Sequence, residues 1–200
     1  MVPLTKYQPE DVLSVAEACR CTALYGVPAM FIAELDVLRR KTFDVSSLRT
    51  GIIGGSPCPP ELVREIMLRM NLRELSIAYG LTEASPLITM TRIDDPEEAR
   101  NSTVGRPLPD TETRLADSET GVPVGAGQLG EFCCRGYNVM KGYYKMPEAT
   151  DRAIDREGWL HSGDLATVDA EGFYRITGRS KDMIIRGGEN IYPREIEDFL

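Results

Sequence analysis

The stretch LRTGIIGGSPCPPELVREIMLRMNLRELSIAYG, residues 48–80, decides the fold class. Its first part reads as a strand that runs into a Gly-Pro loop, and ELVREIMLRM (61–70) follows as a helix. The last part alternates, with Leu75, Ile77 and Tyr79 set against Glu74, Ser76 and Ala78, as a strand does. Strand, loop, helix and strand in that order favour a parallel sheet with helices packed on it.

The residues upstream repeat the pattern. PEDVLSVAEACR (9–20) opens with Pro and two acids, which suits a helix N-terminus. CTALYGV (21–27) reads as a short strand. Pro28 starts a further helix, PAMFIAELDVLRRK (28–41), acidic in its middle and basic at its end, as the helix dipole prefers. After Pro86 the texture changes. Gly and Pro become frequent, TETRLAD (111–117) and GEFCCRG (130–136) read as short strands, and PEATDRAI (147–154) as one short helix. LATVDAEGFYRIT (165–177) reads as a hairpin around Asp169–Gly172. From Ser180 a strand, a Gly-Gly loop and a Pro-led acidic helix follow, and that helix has barely begun at Leu200, so a partial chain is expected. The expected class is α/β, in the mixed α+β sense. A helix-flanked parallel sheet leads into a small antiparallel or barrel-like sheet, then into the start of a small C-terminal α+β domain.

Bulk composition narrows the function. A net charge of -8 argues against general nucleic-acid or anionic-membrane binding, which needs a basic surface. A nucleotide remains compatible, because a few local donors and a cation can hold an anion. No apolar run reaches the length needed to cross a bilayer, and MVPLTKYQPED lacks the basic-then-apolar pattern of a signal peptide. Cys19 and Cys21 form C-x-C, Cys133 and Cys134 are adjacent, and Cys58 stands apart, so none has the C-x-x-C pairing of a zinc site. Reduced, mostly buried thiols in a cytosol-like compartment are expected. His161 is the single histidine, read as a loop residue rather than a catalytic base, and a Ser-His-Asp hydrolase would rest wholly on it.

IAYGLTEASP (77–86) ends a strand with an aromatic ring, a hydroxyl and a carboxylate close together. By itself it is equally a strand-end turn with a solvated Glu. It stands in order with GGSPCPPE (54–61), GRPLPD (105–110), GWLHSGDL (158–165), GRSKDMIIRGGENIYP (178–193) and REIEDFL (194–200). In that order the segments resemble the central and C-terminal motifs of the adenylate-forming (AMP-binding) superfamily. RSKDMIIRGGENIYPREIE and YGVPAMF draw the resemblance toward the fatty acyl-CoA synthetase branch, of the medium-chain acyl-CoA ligase kind.

The resemblance implies a two-step reaction. A fatty carboxylate attacks the α-phosphorus of ATP, pyrophosphate leaves, and the thiol of coenzyme A then takes the acyl group from the adenylate. The implied partners are a medium- or long-chain fatty acid, ATP and coenzyme A, with Mg²⁺. Tyr79 would stack on adenine, Gly80 would let the backbone pass close to the nucleotide, Thr82 would meet the α-phosphate, and Glu83 would ligate Mg²⁺. Asp164 would accept from both ribose hydroxyls, with Arg179 beside it. Gly54, Gly55 and Ser56 would line adenine and the acyl group. Lys181 would be the hinge between residues 1–179, part of a large AMP-binding domain, and residues 180–200, the start of a small C-terminal domain. Gly187 and Gly188 would face the coenzyme A arm.

The sequence departs from the resemblance in two places. The family's Ser/Thr/Gly-rich phosphate loop has no counterpart here, and its C-terminal lysine would lie beyond Leu200. The chain alone is therefore expected to be inactive. The compartment expected is cytoplasmic, or the mitochondrial matrix for a eukaryotic source. Two other readings stand beside the synthetase: an adenylating ligase with a carrier-protein or oxidative fate, and a nucleotide-binding fragment without turnover.

Overall fold

The computed structural model describes residues 2–118, 120–182, 184–186 and 189–191, the last two segments as backbone strands. Contacts group the chain into two compact units, Met1–Ala78 with Arg92–Ser102, and Tyr79–Thr91 with Thr103–Leu200.

The first unit is the parallel α/β pattern expected. Helices α1 (Pro9–Ala18), α2 (Pro28–Leu38) and α3 (Pro60–Arg69) each begin at a proline, whose fixed φ suits the first turn and whose missing N–H costs nothing there. Strands β1 (Ala23–Gly26), β2 (Thr50–Gly54) and β3 (Glu74–Gly80) pair in parallel, Ala23 opposite Thr50 and Thr50 opposite Glu74. Leu75 and Ile77 of β3 are buried, as their alternation requires, and Val63 and Ile66 of α3 are buried one helical turn apart. At Gly54 a Cβ would lie 2.4 Å from the carbonyl oxygen of Ala78, so only glycine lets β2 approach β3 there. The helix α4 (Glu97–Ser102) was not expected from the sequence; it is short and buries only Ala99 and Asn101.

The second unit takes the end of β3. It contains an antiparallel pair, β4 (Leu87–Met90) with β5 (Arg106–Pro107). Its main sheet is β6 (Thr111–Ala116), β7 (Gly130–Gly136), β8 (Leu160–Val168) and β9 (Tyr174–Arg179), antiparallel and in sequence order, with helix α5 (Pro147–Ala153) between β7 and β8. This is an open meander: among the described residues β6 and β9 do not pair to close a barrel. The hairpin turn lies where expected. Gly172 N donates to Asp169 O at 3.1 Å, while Asp169 Oδ1 accepts from the amides of Glu171 and Phe173. Phe132 of β7 is fully buried and meets Tyr79 and Tyr174 edge to face, with ring centroids 5.1 and 4.9 Å away.

After a 3-10 turn at Ser180–Asp182, β10 (Ile184–Arg186) pairs antiparallel with β11 (Glu189–Ile191). Gly187, Gly188 and the expected helix after Pro193 lie outside the described residues. None of the five cysteines is in a disulfide among the described residues; Cys133 and Cys134 are buried, Cys21 and Cys58 half-buried and Cys19 exposed. The expectation of mostly buried thiols is thus corrected, because only the β7 pair sits inside a sheet.

Candidate active site

The second unit builds a polar cluster at the end of β3. Leu75 and Ile77 fix which face of the strand is buried, and Tyr79 follows them as its penultimate residue. Its ring packs against Phe132, and its Oη donates to Asp164 Oδ2 at 2.7 Å. Burial, and then the Asp164 charge, pushes the Tyr79 phenol above its ordinary pKa, so the phenol stays a donor. Asp164 is only 8% exposed. It sits opposite Arg179 in the β8–β9 register, and Arg179 Nε donates to Asp164 Oδ1 at 3.0 Å. Each carboxylate oxygen therefore has one protein donor, and each keeps a second lone pair. Ser162 Oγ accepts the Asp164 amide at 3.0 Å.

Gly80 comes next, and a Cβ there would lie 1.8 Å from the carbonyl oxygen of Pro86. The glycine is required by the chain folding back on itself, a different reason from the nucleotide approach read in the sequence. Thr82 and Glu83 lie in a single 3-10 turn, Thr82–Ala84, pinned by the fully buried Ala84. Thr82 is exposed and Glu83 half-buried. Glu83 is held at both ends: its carbonyl accepts from Met140 N at 2.7 Å, and its Oε1 accepts from Tyr143 Oη at 2.7 Å. That hydrogen bond is the main cause of the raised Tyr143 pKa. One carboxylate oxygen is engaged and a hard-oxygen ligand remains, which fits a Mg²⁺ that takes one or two protein carboxylates.

The second unit thus gathers Tyr79, Gly80, Thr82, Glu83, Asp164 and Arg179, with exposed Lys181 in the turn after β9. Gly54, Gly55 and Ser56 belong to the first unit, at the end of β2 and in the bend after it; Gly55 has φ of 87°.

A family model described as AMP-binding enzyme matches residues 1–144. The chain belongs to that family. The Bacillus subtilis (strain 168) protein named "Putative acyl-CoA synthetase YngI" is 54% identical to this AMP-binding family member over 200 residues, 100% of this chain and 36% of that protein. The mitochondrial medium-chain acyl-CoA ligase ACSF2 of Bos taurus is 48% identical over 194 residues, 97% of this chain and 32% of that protein. The chain therefore spans about a third of the length of these curated relatives. Among solved structures, ATP-bound MatB from Rhodopseudomonas palustris superposes with a TM-score of 0.89 at 33% identity, covering 99% of this chain and 38% of that one. Similarity over nearly the whole chain matches the mixed α/β architecture described above.

Sequence reasoning missed a second cluster in this AMP-binding chain. His161 is a strand residue of β8 opposite Cys133, which corrects its reading as a loop residue. Its Nδ1 lies 2.8 Å from Glu131 Oε2 and 3.5 Å from Cys133 Sγ, and its Nε2 lies 3.6 Å from Asp155 Oδ2. Glu131, Cys133 and His161 bring their ligand atoms within 4.8 Å of one another, a spacing a metal could use. Burial and the Glu131 charge push the Cys133 thiol up to about 12, and a protonated thiol is a poor ligand. Hydrogen bonding among these groups accounts for the cluster. The signal available in sequence was alternation: Glu131 and Cys133 are two apart on a strand.

Proposed function

We propose that this chain forms the nucleotide-binding part of an ATP-dependent acyl-CoA synthetase that activates a medium- or long-chain fatty acid. Its acyl-CoA product would form through an acyl-adenylate. The observation that carries this reading is the Asp164 carboxylate, buried, held by Tyr79 and Arg179, and still able to accept on both oxygens. A ribose presents two adjacent hydroxyls, the complement of such an acceptor pair. Family membership and the acyl-CoA ligase name of the Bos taurus relative support the reaction class, and the ATP of the MatB structure supports the nucleotide.

The residues have distinct tasks. Asp164 and Arg179 hold the ribose and so fix the α-phosphate in line for attack, a gain in orientation rather than in chemistry. Tyr79 gives the nucleotide an aromatic wall and keeps Asp164 in place. Thr82 donates to an α-phosphate oxygen. Glu83 would hold Mg²⁺, which supplies neutralisation of charge developing on phosphate. Lys181, in the turn after β9, is the hinge between the two half-reactions, and the role of Gly187 and Gly188 on the coenzyme A side rests on the family resemblance, since both lie outside the described residues. Among the described residues no helix is long and apolar enough to cross a membrane. Cysteines outside any disulfide fit a reducing compartment, the cytoplasm or the mitochondrial matrix.

The test is a coupled assay of the native-length protein with ATP, Mg²⁺, coenzyme A and fatty acids of graded length. Pyrophosphate release that depends on the fatty acid, followed by thioester that depends on coenzyme A, is the expected result. AMP binding without pyrophosphate release from any acid would overturn it.

A further inference from the structure

The strand β8 does not run straight past its neighbour. Cys133 faces His161, yet Glu131, two residues back along β7, faces Leu165, four residues on along β8. Three residues, Ser162, Gly163 and Asp164, thus stand against the single Phe132, two more than a regular ladder has, and this bulge aims Asp164 toward Tyr79 and Arg179. A bulge leaves amides without ladder partners. Here Gly163, at φ of 73°, gives its N–H to Glu131 Oε1 at 2.9 Å, while the next amide goes to Ser162 Oγ. The other Glu131 oxygen, Oε2, is taken by His161 Nδ1 at 2.8 Å. Opposite, His161 Nε2 faces Asp155, which Arg114 holds at 3.2 Å and whose Oδ1 accepts the amides of Glu157 and Trp159.

We propose that Glu131 is a positioning residue for nucleotide binding: its carboxylate bridges the Gly163 amide and the His161 ring, and so sets the bulge from which Asp164 is presented. The inference rests on the ribose-binding reading of Asp164. Glu131 touches no nucleotide; it acts one residue away, through the backbone. A carboxylate suits the place because it alone accepts at both oxygens, one from a backbone N–H and one from an imidazole N–H. His161 keeps the carboxylate from rotating away, and Asp155 with Arg114 keeps the ring from turning. The chain of contacts leads from β6 to the candidate site without a catalytic group in it.

The experiment measures AMP affinity by calorimetry, the KM values for ATP and fatty acid, and hydrogen–deuterium exchange of a peptide covering residues 160–166, all in the native-length protein. Glu131→Ala should weaken AMP binding and raise the ATP KM by roughly tenfold, since both half-buried hydrogen bonds of the carboxylate, to Gly163 N and His161 Nδ1, are lost. The fatty-acid KM should stay put, and exchange at 160–166 should accelerate. Glu131→Gln, which still accepts from Gly163 and donates to the ring, should restore affinity to within about twofold. Should the alanine variant fail to fold, Glu131→Met, of similar volume and without the acceptor, is compared with Glu131→Gln in the same way. Unchanged AMP affinity in the folded Ala or Met variant overturns the proposal. So does an equal loss in the Gln variant, or a loss shared evenly between ATP and fatty acid. Absence of AMP binding in the unsubstituted protein removes the ribose reading first, a separate result from failure of the positioning role.

Discussion

Tyr79 Oη and Asp164 Oδ2 lie 2.7 Å apart although 85 positions separate them in the chain. One is the penultimate residue of β3 and the other sits in a bulge of the antiparallel meander. Tyr79→Phe removes the donor while keeping the ring contact with Phe132. A buried carboxylate then loses one of its two protein donors, which should destabilise the protein by about 1–3 kcal/mol in urea unfolding. AMP affinity should fall less than for Asp164→Ala, which removes both ribose acceptors. An equal loss in the two variants would mean that the phenol, not the carboxylate, recognises the nucleotide.

Glu83→Gln should lower Mg²⁺-dependent pyrophosphate release by on the order of a hundredfold, since a neutral amide binds a hard cation poorly. AMP affinity measured without Mg²⁺ should be nearly unchanged. Tyr143→Phe, which only frees Glu83 Oε1, should cost far less. A comparable loss of Mg²⁺-free AMP binding in Glu83→Gln would show that Glu83 contacts the nucleotide directly.

Glu34 of α2 introduces a pH dependence of stability. It is 2% exposed, Tyr7 Oη reaches only its Oε1 at 3.4 Å, and Oε2 has no partner among the described residues. Burial raises its pKa from 4.5 to about 7. Between those values the folded chain holds a proton that the unfolded chain has released, so stability falls as pH rises through the window. The penalty levels off above pH 7 at on the order of 3 kcal/mol. Glu34→Gln should abolish this slope and be the more stable protein at pH 8, as read from urea midpoints at pH 5 and pH 8. A slope that survives the substitution would assign it to other groups.

The thiols should differ sharply in reactivity. Burial pushes Cys133 up to about 12 and Cys134 to about 11. At pH 8 the thiolate fraction of Cys133 is then roughly 10⁻⁴, and exposed Cys19 should be alkylated by iodoacetamide first. Peptide mass spectrometry over time checks this. Labelling of Cys133 as fast as Cys19 would show that β7 opens on the same timescale.

Period and punctuation made most of the first unit legible. Prolines at 9, 28 and 60, acids in the first turns of α1 and α3, and the two-residue alternation of β3 mark local preferences that survive folding. The Asp169–Gly172 hairpin was legible for the same reason, because an Asp side chain and a glycine make the turn locally. The ordered motifs also carried the family and the identities of Tyr79, Glu83 and Asp164 as residues to watch. Long-range pairing was not legible. That Asp164 lies in a bulge of β8 against β7, that Glu131 takes the Gly163 amide there, that His161 is a strand residue between two carboxylates, and that Gly80 is forced by the Pro86 carbonyl all depend on register between segments far apart in the chain. The sequence alone determines which residues are able to donate, accept or turn; only tertiary structure decides which of them meet, because strand register and loop closure bring together groups between which the local chain carries no signal.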